Sequence, residues 1–167
     1  MIAPVLVLGW GNPSRGDDAL GPLCVAALHD QLPEAARDQV EFLEDYQLQV
    51  EHSLDLVGRT AVLFVDASLT CCAPYEVTAL QPMQDASFTT HTLSPQAVMQ
   101  VYQNLQAEPP PPCTLLAIRG EFFELGQPPS SAAFANLALA LRWSLDWMAT
   151  AWQTGSLSDL TNNTLQT

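Results

Sequence analysis

The chain carries a compact loop, Gly9-Trp10-Gly11-Asn12-Pro13-Ser14-Arg15-Gly16-Asp17-Asp18, directly after the apolar run Pro4-Val5-Leu6-Val7-Leu8. A helical pattern follows this loop, with apolar residues at Leu20, Leu23, Cys24, Ala27 and Leu28. A strand, a glycine loop and a helix in this order begin an α/β unit. Because ligands bind beyond the carboxyl ends of the strands in open α/β sheets, the two carboxylates that end the loop are candidate site residues.

Strands and helices continue to alternate along the rest of the chain. Further strands are predicted at Val40–Leu43, Ala61–Val65, Tyr75–Leu80 and Cys113–Ile118. Further helices are predicted at about Gln49–Gly58, Ser94–Gln106 and Ser130–Trp152. The strand that starts at Tyr75 follows its predecessor too closely for a crossover helix, so it is expected to be an antiparallel edge strand. We predict a three-layer α/β sandwich with a twisted, five-stranded, mostly parallel sheet and helices on both faces.

The length predicts one α/β domain over residues 1–153, followed by a polar tail at 154–167 that is expected to be disordered. The apolar face of the helix predicted at 49–58 would consist of Val50, Leu54 and Val57. Three tryptophans of the last helix are interpreted as core residues rather than as a docking surface: Trp143, Trp147 and Trp152.

Composition excludes several classes of partner. The 167 residues include 18 acidic and 5 basic ones, for a formal net charge of −13, and the basic residues are not clustered. Binding to nucleic acid or to an anionic membrane is therefore not expected. No apolar run reaches the roughly 18 residues of a membrane span, and the first strand does not resemble an export signal, so a cytoplasmic protein is predicted. The four cysteines form no Cys-x-x-Cys pair, which argues against structural zinc.

Three residues that lie far apart in the sequence could form one metal site. Asp17 and Asp18 cannot both cap the following helix, so Asp18 is free for another role. Asp66 ends an apolar strand, where a carboxylate must be hydrogen-bonded, paired or metal-bound to offset its desolvation. His91 lies in a polar loop before a capped helix. Two carboxylates and one imidazole are compatible with nickel, zinc or cadmium.

Two other readings of the polar residues are weaker. A dinucleotide-binding fingerprint would place its third glycine at Ser14, and it would need bare backbone amides where this loop has carboxylates. His29 is interpreted as a partner of its helix dipole, and the role of His52 is left open. No serine, cysteine or threonine lies in an evident nucleophile motif, which argues against an acyl-enzyme.

The motif Gly-x-Gly-Asn-x-x-x-Gly-Asp-Asp-x-x-Gly at Gly9–Gly21, with Val65-Asp66-Ala67 and Thr90-His91, resembles the hydrogenase maturation endopeptidases. Two further runs resemble the subgroup that serves soluble NAD-reducing hydrogenases, Tyr46–His52 and Arg119–Gly126. The resemblance implies removal of a C-terminal extension from the [NiFe] hydrogenase large-subunit precursor, with nickel supplied by that precursor. It implies that Asp18, Asp66 and His91 approach the nickel and carry the catalysis, with zinc or cadmium as possible substitutes. The supporting residues would be Gly11, Asn12, Gly16 and Asp17, and Arg15 would steady the loop.

The chain departs from the family pattern at two places. Tyr46-Gln47 stands where many members have Gly-Gly, and Gln96 stands where some have a histidine. Two alternative functions stay open at this point, a non-catalytic nickel chaperone for hydrogenase assembly and a small-molecule amidase. A monomer is expected, because the helices should cover both faces of the sheet.

Overall fold

The computed structural model describes residues 1–84 and 93–163, with side chains described as far as Thr154. Its strands are β1 Val5–Trp10, β2 Val40–Asp45, β3 Ala61–Ser68, β4 Tyr75–Ala79 and β5 Cys113–Arg119. Its α-helices are α1 Leu20–Gln31, α2 His52–Asp55, α3 Pro95–Gln106 and α4 Ser131–Asn163. Short 3-10 turns lie at Gly16–Ala19 and Glu34–Ala36.

The five strands form one sheet in the order β2-β1-β3-β5-β4. All neighbours are parallel except β4, which is an antiparallel edge strand beside β5. The predicted fold class and the predicted direction of β4 are therefore confirmed. Trp10 pairs with Asp45, and Gly9 pairs with Val65, so the carboxyl ends of β1, β2 and β3 meet at one edge of the sheet.

Both faces of the sheet are buried, which explains the uninterrupted apolar runs of the central strands. In β1, Val5 and Val7 face a core cluster that includes buried residues of α1 and α4. Leu6 and Leu8 face a second cluster that includes Val98 and Met99 of α3. Trp143, Trp147 and Trp152 of α4 pack against the first cluster but stay partly exposed, so their interpretation as core residues is confirmed only in part.

Gly21 of the sequence motif lets α1 lie directly against the end of β1. A Cβ atom built on Gly21 would lie 2.2 Å from the carbonyl oxygen of Trp10. Any larger residue would push α1 away from β1, because real Cβ atoms do not approach a carbonyl oxygen so closely.

The helix predicted at 49–58 is wrong in length and in face. Only His52–Asp55 is α-helical, and Val50 and Leu54 are 50% and 59% exposed. The buried residues of this stretch are His52, Ser53 and Leu56. A single turn held by local bonds does not repeat with helical periodicity, so the apolar spacing did not report the buried face.

The last helix is longer than predicted. It continues past Trp152 to Asn163 and so takes up most of the stretch that was predicted to be a disordered polar tail. The hydroxyls of Thr150 and Thr154 donate to carbonyls four residues earlier, so these polar residues sit in the helix without losing a bond. Within the described residues, no helix combines the length and the apolar character that a membrane span requires.

Candidate active site

An open cleft of about 760 Å³ lies at the carboxyl ends of β1 and β3. The loop after β1 contributes Asp18 to its lining, and β3 contributes Asp66. Two of the three predicted site residues are thus brought together from positions 48 residues apart. The third, His91, lies outside the described residues. The start of α3 closes one side of the cleft with Ser94 and Pro95.

The loop after β1 is organised around Asn12. Its backbone N–H donates to Oδ2 of Asp18 at 2.9 Å, and its own Oδ1 accepts from the N–H of Ser14 at 2.9 Å. Gly11, just before it, has φ +145°, a backbone conformation that other residues rarely adopt. The predicted supporting residues Gly11 and Asn12 therefore both hold Asp18, one by its conformation and the other by a hydrogen bond.

The sequence indicated that one of the two adjacent carboxylates caps the following helix. In the structure Asp17 does not cap it. The start of α1 has no side-chain cap, and the buried carboxylate of Asp17 turns toward the segment between β5 and α4. It accepts hydrogen bonds from the N–H groups of Glu121, Phe122 and Ser130, at 2.8, 3.1 and 2.6 Å, and from the Ser130 hydroxyl at 2.9 Å. Burial raises the pKa of Asp17, but these hydrogen bonds outweigh burial and lower that pKa.

A second loop, residues 120–130, is joined to the loop after β1 in both directions. The N–H groups of Gly16 and Asp17 donate to carbonyls of this 120–130 segment. In return, the N–H of Gly126 donates to the Ser14 carbonyl at 2.7 Å. Phe123 of the segment lines the cleft, a residue that sequence reasoning did not assign to the site. The available signal was its position between two glycines just after a strand end.

The remaining side of the cleft is formed after β2, by Tyr46 and Gln47. His52, whose role the sequence left open, holds this turn. Its Nδ1 accepts from the N–H of Gln49 at 2.8 Å, and its Nε2 lies 3.3 Å from a carboxylate oxygen of Asp45. Tyr46 and Gln47, which depart from the family pattern, thus line the cleft beside the turn that His52 holds.

The electrostatics of the cleft favour a cation or a proton at Asp66. Burial, followed by repulsion from Asp18, raises the pKa of Asp66 to about 7, although the N–H of Ala67 acts in the opposite direction. Within the described residues, no three His, Cys, Asp or Glu side chains are grouped closely enough to hold a metal ion. Asp18 and Asp66 can supply two carboxylate ligands, and any further ligand must come from elsewhere.

Replacing Asp66 by asparagine is expected to flatten the pH dependence of stability. The pKa of Asp66 is raised in the folded state, so the favourable neutral form is fully present below about pH 4 and is lost as the pH rises through about 7. Relative to Asp66→Asn, the wild type should lose about 2–4 kcal/mol of unfolding free energy between pH 4 and pH 8, because one pKa unit corresponds to about 1.4 kcal/mol. Urea denaturation at both pH values measures this difference.

Asp18→Asn is the matched variant for this measurement. It removes the repulsion on Asp66 and should make the loss of stability with rising pH smaller than in the wild type. Parallel stability profiles for the wild type and Asp66→Asn would contradict the raised pKa.

Solved structures share this fold over most of its length. HybD from E. coli, a hydrogenase maturating endopeptidase, is 25% identical to this chain. The alignment covers 87% of this chain and 92% of HybD, with a TM-score of 0.67. The chain has the fold of the hydrogenase maturation endopeptidases. An endopeptidase from Escherichia coli is also 25% identical, with 85% and 90% coverage and a TM-score of 0.61.

A more distant structure supports the fold alone. The [NiFe] hydrogenase maturation protease HycI from Thermococcus kodakarensis KOD1 is 18% identical, with 88% and 93% coverage and a TM-score of 0.67. No family model and no curated protein sequence matches the chain. The resemblance that the motifs indicated, to endopeptidases of hydrogenase maturation, is confirmed by these neighbours. The assignment to the subgroup for soluble NAD-reducing hydrogenases stays a prediction.

Proposed function

We propose that this chain is an endopeptidase that removes a C-terminal extension from the nickel-loaded precursor of a [NiFe] hydrogenase large subunit. The observation that carries the proposal is the meeting of Asp18 and Asp66 in one open cleft, within the fold of the hydrogenase maturation endopeptidases. An open cleft suits a polypeptide substrate better than it suits a small amide, which would be bound in a closed pocket.

Nickel enters this proposal as part of the substrate. The two carboxylates repel each other and one is largely desolvated, so a cation brought by the precursor would offset both costs. With His91 they would form the set of two oxygens and one nitrogen that the sequence predicts, which is compatible with nickel and with zinc or cadmium as substitutes. Recognition of the metal would place the adjacent peptide in the cleft, so that proximity rather than a side-chain pocket selects the bond.

The chain's own groups suit the hydrolysis of a peptide bond. Asp18 is held in place by the N–H of Asn12, while Asp66 has a pKa near neutrality. Nickel beside Asp66 would lower that pKa, so Asp66 would act as an ionised base that takes a proton from an attacking water and returns it to the leaving amine. Asp18 would thus mainly position the substrate, and Asp66 would mainly move the proton.

The test is to incubate this protein with a nickel-loaded large-subunit precursor from the organism that produces it and to measure the intact mass of the precursor. Wild type is expected to release a C-terminal fragment, and Asp18→Asn and His91→Ala are expected to release none. Asp30→Asn and His29→Ala are the matched controls, because both residues are exposed and neither lines the cleft. They should cleave as the wild type does.

The contrary result defines the alternative function. If wild type leaves the precursor mass unchanged while the isolated protein retains nickel, the chain is a nickel chaperone for hydrogenase assembly rather than a protease. If Asp18→Asn and His91→Ala both still release the fragment, the chain is a peptidase whose site lies elsewhere.

A further inference from the structure

We propose that Arg15 is a specificity-determining residue that binds a carboxylate of the precursor's C-terminal extension. The inference rests on the proposed function and adds the class of substrate group that the cleft selects. Arg15 lies in the loop after β1 and lines the cleft that contains Asp18 and Asp66. Sequence reasoning had given this residue only the task of steadying the loop.

The guanidinium of Arg15 is anchored by one hydrogen bond and keeps donors without a partner among the described residues. Its Nε donates to the carbonyl of Phe123 at 2.9 Å, which ties the side chain to the 120–130 segment. Its two Nη groups have no hydrogen-bond partner among the described residues. Because five N–H donors fan out from a guanidinium, fixing Nε leaves the outer edge free for a bidentate contact with a carboxylate.

Arg15 also forms no ion pair within the described part of the chain, although two carboxylates line the same cleft. The ion pairs found there join His29 with Asp30, His52 with Asp45, and Arg59 with Glu41. A charged group that is left unpaired in a protein of net charge −13 is available to an outside partner. Among the described residues that line the cleft, Arg15 is the single cationic one.

The exposure of Arg15 indicates a role in substrate binding rather than in the chemical step. A group that stabilises a developing oxyanion works best where water is excluded. The side chain of Arg15 is exposed at the rim of the cleft. Its positive charge would therefore attract a substrate carboxylate that lies beside the scissile bond and takes no part in the reaction. It should therefore contribute equally to the ground state and the transition state, which lowers KM and leaves kcat unchanged.

The test compares initial cleavage rates of nickel-loaded precursor by the wild type, Arg15→Gln, Arg15→Lys and Arg142→Gln. Arg15→Gln is expected to raise KM about tenfold with kcat within about twofold, as the loss of one charge-assisted contact would do. Arg15→Lys, which keeps the charge but not the fork, should fall between this variant and the wild type. Arg142→Gln changes the net charge equally at an exposed position outside the cleft, and it should match the wild type.

Ionic strength and substrate variants complete the test. The KM of the wild type should rise with added salt, and that of Arg15→Gln should rise less, because salt screens an exposed charge pair. Two altered precursors distinguish the sources of the carboxylate. One has the acidic side chains of the extension changed to amides, and the other has a glycine-serine tail that displaces the terminal carboxylate. One of the two should raise the KM of the wild type to that of Arg15→Gln and have no further effect on that variant.

Several outcomes would overturn the inference. An unchanged KM for Arg15→Gln would do so, and so would a loss confined to kcat, which would mean that the charge acts on the reacting carbonyl. No response to either altered precursor would also exclude a carboxylate partner. If the wild type itself leaves the precursor intact, the proposed function fails and the inference fails with it, whereas cleavage with equal KM values removes the inference alone.

Discussion

Asp17→Ala is expected to lower the free energy of unfolding by about 3–5 kcal/mol, because it leaves several buried donors without an acceptor. Asp17 is fully buried, and its carboxylate accepts four hydrogen bonds from the 120–130 segment. The same carboxylate lies at the start of α4, where negative charge is favoured. Removing it should loosen the junction between two loops that form the walls of the cleft. Urea denaturation at neutral pH measures the effect.

The pH dependence of this loss gives a second measurement. The pKa of Asp17 is lowered in the folded state, so its contribution is present above the unfolded value and is lost as the pH falls through the folded value. The difference between wild type and Asp17→Ala should therefore shrink on acidification.

Asp18→Asn is the natural control for Asp17→Ala, since it changes the neighbouring carboxylate, which accepts a single backbone bond that an amide oxygen can also accept. Its cost in stability should be below about 1 kcal/mol. Equal losses for Asp17→Ala and Asp18→Asn would contradict the structural role assigned to Asp17.

Asp17 also shows where the sequence ceases to predict the site. The run from Gly9 to Asp18 and the strand that ends in Asp66 predicted the sheet edge and the two carboxylates of the cleft, because strand, loop and helix patterns are local. The partners of Asp17 lie 104 to 113 positions away, so no local pattern could show them. The sequence assigned Asp18 to the site and Asp17 to a supporting role, but it could not show that Asp17 joins the loop after β1 to the 120–130 segment.

The wall after β2 was missed for a different reason. The apolar residues between Gln49 and Gly58 have helical spacing, yet the turn is held by His52 through a backbone donor and a carboxylate. Such a turn buries one imidazole and leaves Val50 and Leu54 in solvent. Hydrophobic periodicity reports the buried face only where a helix is long enough for several turns to contact one core.

Gly11→Ala is expected to reduce cleavage of the precursor at least 100-fold and to destabilise the fold by about 3 kcal/mol or more. Gly11 has φ +145°, and a Cβ atom there would lie 2.0 Å from the carbonyl oxygen of Asp18. This oxygen belongs to the backbone, so relief requires the loop itself to move. A displacement of about 1 Å in a positioned catalytic group can cost about 100-fold in rate. Cleavage followed by intact mass and urea denaturation measure the two effects.

Gly126→Ala is the control for a glycine that has a positive φ but no close neighbour. Gly126 also has a positive φ, +82°, but a Cβ atom there would have no neighbour within 4 Å. It should therefore lose only the roughly 1–2 kcal/mol of a left-handed conformation and should cleave within a few-fold of the wild-type rate. The difference between the two glycine variants contains the close approach between Gly11 and Asp18 and the higher backbone cost of φ +145° compared with +82°. Equal stability and equal cleavage in both variants would mean that this approach does not hold Asp18 in the cleft.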